Sequence, residues 1–115
     1  MASAPPAITV AAAADLRLAF AELGRAFEAQ SGTAVTFSFG SSGQLREQIL
    51  NGAPFDLFAS ANVEFVDEVV EAGRADASTK ADYAYGRIVL WARDPAYLPD
   101  SVADLADERY RRIAI

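Results

Sequence analysis

Val35-Thr36-Phe37-Ser38-Phe39-Gly40-Ser41-Ser42-Gly43-Gln44-Leu45 is an alternating apolar run that breaks into a loop of small residues and resumes with helical spacing. Val35, Phe37 and Phe39 alternate with Thr36 and Ser38, the period of a strand with one wetter face. Gln44 to Asn51 then reads as a helix with Leu45 and Ile49 turned inward. Ser41 and Gln44 fit a capping box, which makes Ser41 the N-cap and places Ser42 and Gly43 in the first turn. Backbone N–H groups there lack intrahelical partners, and such a helix end carries roughly half a positive charge. A strand that feeds a helix through this loop therefore predicts an α/β fold with an anion-ready turn. The plain alternative is that Ser41 only caps and the glycines only turn the chain.

The same grammar extends outward in both directions. Ala7 to Ala13 reads as a first strand whose alanines allow close approach of another backbone or a ligand. Asp15 follows as a candidate N-cap, because Leu16, Ala19, Phe20, Leu23 and Phe27 recur at helical spacing. Gly32 sits where that helix should end. The second strand spans Thr33 to Phe39, and its helix runs from about Gly43 to Asn51, ended by Gly52-Ala53-Pro54. Phe55 to Ala59 reads as a third strand, followed by a turn at Ser60-Ala61-Asn62. A third helix carries Val63, Val66, Val69 and Val70 and stops at Gly73. Ala75 to Lys80 reads as connection. Tyr83 to Arg93 is the longest strand candidate, with Trp91 in the core, and Ser101 with Asp104 opens a fourth helix. Arg111 to Ile115 begins another strand. Strands separated by helices imply right-handed crossovers and a mainly parallel sheet covered on both faces.

Composition narrows the function. The chain has 115 residues, about one domain, with 52% hydrophobic and 23% charged residues. A net charge of −6 offers no basic face for nucleic acid. Without cysteine or histidine there is no disulfide framework, no ordinary zinc site and no serine–histidine or cysteine–histidine catalysis. No apolar run has the length of a membrane span, so direct membrane insertion is not expected. Residues 1–7, rich in alanine and proline, read as a tail, the end of a cleaved export signal behind an added methionine.

Ligands of open α/β sheets sit beyond the carboxyl ends of the strands, where the strand order reverses. If the second strand is an edge beside the first, the third lies on the first strand's other side. The loops Ala13-Ala14-Asp15 and Ser41-Ser42-Gly43 then face one crevice with two helix N-termini, the makings of an oxyanion site. Other candidates are weaker. Glu64, Asp67, Glu68 and Glu71 form a stripe that reads as a solvated helix face, and Tyr83 and Tyr85 lack the partners of a ferric site.

Three blocks carry a resemblance. Ile8-Thr9-Val10-Ala11-Ala12-Ala13-Ala14-Asp15-Leu16 resembles the opening strand and first anion loop of periplasmic molybdate-binding proteins, the receptors of molybdate ABC importers. Phe39-Gly40-Ser41-Ser42-Gly43-Gln44-Leu45 resembles their second loop. Gly52-Ala53-Pro54-Phe55-Asp56-Leu57-Phe58-Ala59-Ser60-Ala61 resembles a third family run.

The resemblance implies a type II periplasmic-binding-protein fold, a three-layer α/β/α lobe with a mainly parallel sheet and an incomplete second lobe. Residues 8–82 would form lobe one, and residues 83–115 the crossover and the start of lobe two. It implies capture of molybdate, and tungstate as well, in the periplasm for an ABC permease, with no cofactor and no catalysis. Molybdenum would enter only as the oxyanion. Ser42 is then the hydroxyl ligand, beside Ser41 and Gly43, with Ala14 lining the wall. Asp15 departs from the serine or asparagine of many relatives. A carboxylate about 4 Å from a dianion would cost about 8 kcal/mol at an effective dielectric of 20. Asp15 is therefore expected to cap its own helix and offer only its backbone N–H. Family members are about twice as long, so the chain reads as an N-terminal portion lacking its signal sequence and prone to self-association. Sulfate, phosphate or another small solute stays open as the ligand, as does an effector-sensing or enzymatic domain with Asp15 as base.

Overall fold

The computed structural model describes residues 6–115, so most of the tail read at 1–7 lies outside the described residues. It divides into two compact units, one running to Ala81 and one from Asp82 to Ile115. The first contains β1 (Ala7–Ala13), α1 (Arg17–Ser31), β2 (Ala34–Gly40), α2 (Ser42–Leu50), β3 (Leu57–Ala59) and α3 (Val63–Glu71). All three strands are parallel, in the order β2-β1-β3.

The alanines of β1 suit it to the centre of this sheet. Val10, Ala11, Ala12 and Ala13 are buried, and successive residues face opposite layers. Val10 and Ala12 pack with Ala59, and against them lie Leu16, Phe20, Val35, Phe37 and Phe39. Ala11 packs on the other face with Leu45 and Ile49 of α2 and Val69 of α3. Helices on opposite faces are what right-handed crossovers require of a chain that steps first to one side of β1 and then to the other. The layering is α/β/α, as expected. Leu45, only 1% exposed, contributes about 2 kcal/mol through burial of that one side chain.

Local chemistry sets the element ends. Gly32 takes φ 76° at the end of α1 and donates its N–H to Glu28 O at 2.8 Å, a left-handed cap that a side chain would strain. Asp56 ties the start of β3 to β1 twice: its carboxylate accepts Thr9 N–H at 2.8 Å, and its own N–H reaches Thr9 O at 2.8 Å. α2 and α3 are clamped by Arg46, whose guanidinium meets Glu68 at 3.0 Å and lies 4.7 Å from the centre of the Phe65 ring.

The second unit departs from the sequence expectation. Neither Tyr83 to Arg93 nor Arg111 to Ile115 forms a strand, and the fourth helix is only a 3-10 turn, Val102–Ala106. The Ser101–Asp104 start signal is present, with the Asp104 carboxylate accepting Ser101 N–H at 3.1 Å. Trp91 is 78% exposed rather than core, and Ile88 is 99% exposed. The reason is general: a strand's backbone groups need a neighbouring strand, and β propensity without one forms nothing stable. Among the described residues no strand pairs with these runs.

Candidate functional site

The register puts three loops at one edge of the sheet. Ala13 pairs with Gly40 and Ala12 with Ala59, so Ala14, Ser41 and Ser60 all leave the carboxyl ends of their strands on the same side. β1 lies between its two partners, and the strand order reverses there, as a ligand crevice requires.

The second loop forms as its residues dictate. Ser41 has extended backbone angles, and its Oγ accepts Gln44 N–H at 3.2 Å, so it is the N-cap of α2. Ser42 and Gly43 occupy the first turn, where backbone N–H groups point out of the helix end. Ser42 is buried, 9% exposed. Its Oγ accepts the N–H of Ala61 at 2.9 Å, which joins the second loop to the third.

The first loop differs from expectation. Ala14–Leu16 is a 3-10 turn, and α1 begins only at Arg17 with Leu16 as its cap residue, without a side-chain cap bond. Asp15 is therefore not the N-cap of α1. The inserted turn carries the helix start past it, and Arg17 N–H closes that turn on Ala14 O. Asp15 and Ala14 are both exposed. Arg17, not singled out in the sequence, lies with its guanidinium 5.1 Å from the centre of the Phe39 ring, one residue before Gly40.

The third loop is more than the turn its sequence suggests. Ser60 Oγ donates to Asn62 O at 2.8 Å and accepts Asn62 N–H at 3.1 Å, a closed serine turn leading to α3. Its contribution to the site comes through Ala61. The third family-like run ends at Ser60-Ala61, which was the available signal.

No group of histidine, cysteine and carboxylate side chains is placed to hold a metal ion among the described residues. Tyr85 donates its hydroxyl to Asp82 at 3.1 Å. That bond, with the Asp82 charge, raises the phenol's pKa, against the direction a phenolate ligand needs. The acidic stripe is partly paired, Glu68 with Arg46 and Asp67 with Lys80.

Parallel strands that aim helix starts and backbone donors at one edge are the arrangement in which open α/β proteins bind ligands. The comparisons specify the class: the family model of bacterial extracellular solute-binding proteins matches residues 8–115, and the chain belongs to that family. It is 40% identical over 98 residues to the molybdate-binding protein ModA of Rhodobacter capsulatus, covering 85% of this chain and 39% of that protein. It is 32% identical over 108 residues to ModA of Azotobacter vinelandii, covering 94% of this chain and 43% of that one. Among solved structures it is similar to the Azotobacter vinelandii periplasmic molybdate-binding protein, with 35% identity and TM-score 0.56 over 57% of this chain and 29% of the other. The chain thus spans about two fifths of the curated relatives it matches. The family is one of solute binders, not an enzyme class. No helix of the described residues is long and apolar enough to cross a membrane.

Proposed function

We propose that this protein captures a tetrahedral oxyanion, molybdate and also tungstate, outside the cytoplasm and delivers it to an ABC permease without chemical turnover. The observation that carries the reading is the buried Ser42 hydroxyl at the start of α2, tied to the third loop and flanked by helix-start N–H groups. Relatives that match 85% and 94% of this chain are named molybdate-binding proteins.

In this reading Ser42 donates its hydroxyl proton to an anion oxygen. The N–H groups of Ser42, Gly43 and Asp15 add donors, Ser41 holds the helix end in place, and Ala14 lines the wall. Hydrogen bonds to a charged group are worth roughly 1.5–3 kcal/mol each, so a few well-aimed donors hold a dianion without a cationic partner. Ordered dipoles are the whole of the attraction, and molybdenum enters only as the centre of the ligand. The unit up to Ala81 serves as lobe one, and the segment from Asp82 belongs to lobe two.

The test is thermal-shift and calorimetric titration of the full-length protein with molybdate, tungstate, sulfate and phosphate. Molybdate and tungstate are expected to stabilise it most. Stabilisation by none of the four would refute the reading. Preference for sulfate or phosphate would keep the site and change its ligand.

A further inference from the structure

We propose that Arg46 is a positioning residue of the oxyanion site: it locks the start of α2 to the start of α3 and so holds Ser42 level with Ala61, without touching the ligand. The proposal rests on the oxyanion reading above.

Two successive rungs join α2 to α3. The first is the bond from Ala61 N–H to Ser42 Oγ at 2.9 Å, between the first turn of α2 and the loop that leads into α3. The second lies one helical turn further along. Arg46 stands four residues after Ser42 and so shares its side of α2. Its guanidinium lies 4.7 Å from the centre of the Phe65 ring, in the first turn of α3, and its Nη1 donates to Glu68 Oε2 at 3.0 Å. Phe65 and Glu68 are three residues apart and therefore neighbours on one helix face. Nη2 donates to Glu47 Oε1 at 3.0 Å, which sets the plane of the fork from the α2 side. The Phe65 ring also reaches toward the ligand end. A Cβ built on Gly43 would meet Phe65 Cζ at 3.7 Å, an ordinary contact, so the ring lies beside the turn that holds Ser42.

Stability alone does not account for an arginine here. Leu45, Ile49 and Val69 already hold the two helices together from the sheet side. The Arg46 side chain is 23% exposed, and its Nε is buried with no hydrogen-bond partner among the described residues. An unpaired buried donor costs free energy, and an apolar side chain of like length would avoid that cost. What arginine adds is direction, because a planar fork that stacks on one group and pairs with another has a single geometry. Without it, α3 could shift against α2, the Ser42–Ala61 bond would stretch, and the ligand would have to order the Ser42 hydroxyl on binding.

The test is calorimetric titration of the full-length protein and its variants with molybdate, with the melting temperature of each recorded. Arg46→Met should melt within about 4 °C of its parent, yet bind molybdate roughly fivefold more weakly. Arg46→Lys keeps the charge and loses the fork, and it should bind as weakly as Arg46→Met. Glu68→Ala removes a negative charge and should still weaken binding by about twofold or more. Attraction of the anion by the Arg46 charge predicts the opposite for both: parental affinity in Arg46→Lys and tighter binding in Glu68→Ala. Either result overturns the proposal. In a Ser42→Ala background the Arg46→Met loss should shrink to about twofold or less, because the position it sets is no longer used. An undiminished loss there overturns the proposal, as does an Arg46→Met protein that melts earlier but binds like its parent. Failure of molybdate to bind the unmutated protein would overturn the oxyanion reading and this proposal with it, whereas parental binding by the Arg46 variants overturns the proposal alone.

Discussion

Gly24 should be a position where the usual helix rule reverses. Replacing an interior helix glycine with alanine ordinarily stabilises by about 1 kcal/mol, through backbone entropy alone. Gly24 is buried on the face of α1 that packs against β2, and a Cβ built there would lie 2.7 Å from Phe37 Cε2 and 3.0 Å from Cζ. The ring has little room to retreat. It stacks on Phe39 at 5.1 Å between ring centres and lies 6.1 Å from Phe20. Forcing it aside adds a packing penalty of about 1–3 kcal/mol and disturbs ring pairs worth roughly 0.5–1.5 kcal/mol each. Against a gain of about 1 kcal/mol, Gly24→Ala should destabilise by roughly 1–2 kcal/mol. The strain has a direction, since Phe39 leads into Gly40 and Ser41. Oxyanion affinity should therefore fall with stability. Urea denaturation of both proteins measures the first quantity and molybdate titration the second. A Gly24→Ala protein as stable as its parent, or more so, would show that α1 does not press on β2 as closely as these distances require.

Four further outcomes are expected. Ser42→Ala should weaken molybdate binding in the full-length protein by roughly 1–3 kcal/mol, while Ser38→Ala on the preceding strand should do much less; calorimetry showing equal, negligible losses would remove Ser42 from the site. Asp15→Asn should keep or tighten binding, because it removes repulsion toward a dianion and breaks no cap of α1; a large loss in the same titration would mean that the carboxylate is needed. Asp76 accepts the N–H and hydroxyl of Ser78 at 2.9 and 2.8 Å, and these bonds hold its pKa below the ordinary carboxylate range. A lowered folded pKa means the turn Ala77–Thr79 is supported above that range and loses support as pH falls through the lowered value; the Ser78 amide resonance should titrate there, and a midpoint at or above the ordinary value would contradict this. Ile88, Val89 and Trp91 are exposed, so the 115-residue chain expressed alone should sediment as more than a monomer, and an ideal monomer at high concentration would count against it.

The residues differ in how far they disclosed this structure. β1 was legible to the residue, because Ile8-Thr9-Val10 opens a strand and the alanines that follow allow a neighbouring backbone to approach closely. Ser41 was legible as a cap because capping is a local matter, settled within four residues. Asp15 was misread by the same logic. An aspartate before an apolar-periodic stretch signals a helix start, yet a 3-10 turn intervenes here, and its Leu16 packs against Val10, Ala12 and Ala59, the last of which is distant in sequence. The Ala61–Ser42 bond was beyond reach for a similar reason: it joins residues 19 apart, and only the β1–β3 register brings them to the same level. Tyr83 to Arg93 shows the limit of propensity. Ile88, Val89, Leu90 and Trp91 favour a strand, but a strand is a relation between segments rather than a property of one.

A net charge of −6 does not by itself weigh against the proposed binding of a dianion. Surface carboxylates act through water, where two unit charges 10 Å apart interact by about 0.4 kcal/mol before salt reduces it further. Donors that touch the ligand act at hydrogen-bond distance in a partly dry crevice, where each is worth several times that. Proximity and desolvation therefore decide the sign, and net charge does not. The same reasoning explains why Asp15 matters more than the acidic stripe on α3. Glu68 and Asp67 are neutralised by Arg46 and Lys80 on an exposed face, whereas Asp15 follows β1 at the very edge where the donors gather. In the proposed site its exposure would make it tolerable, since a carboxylate facing water is screened while its backbone N–H stays in the loop. On the proposed reading, the loop would use aspartate for its peptide and leave its charge to the solvent.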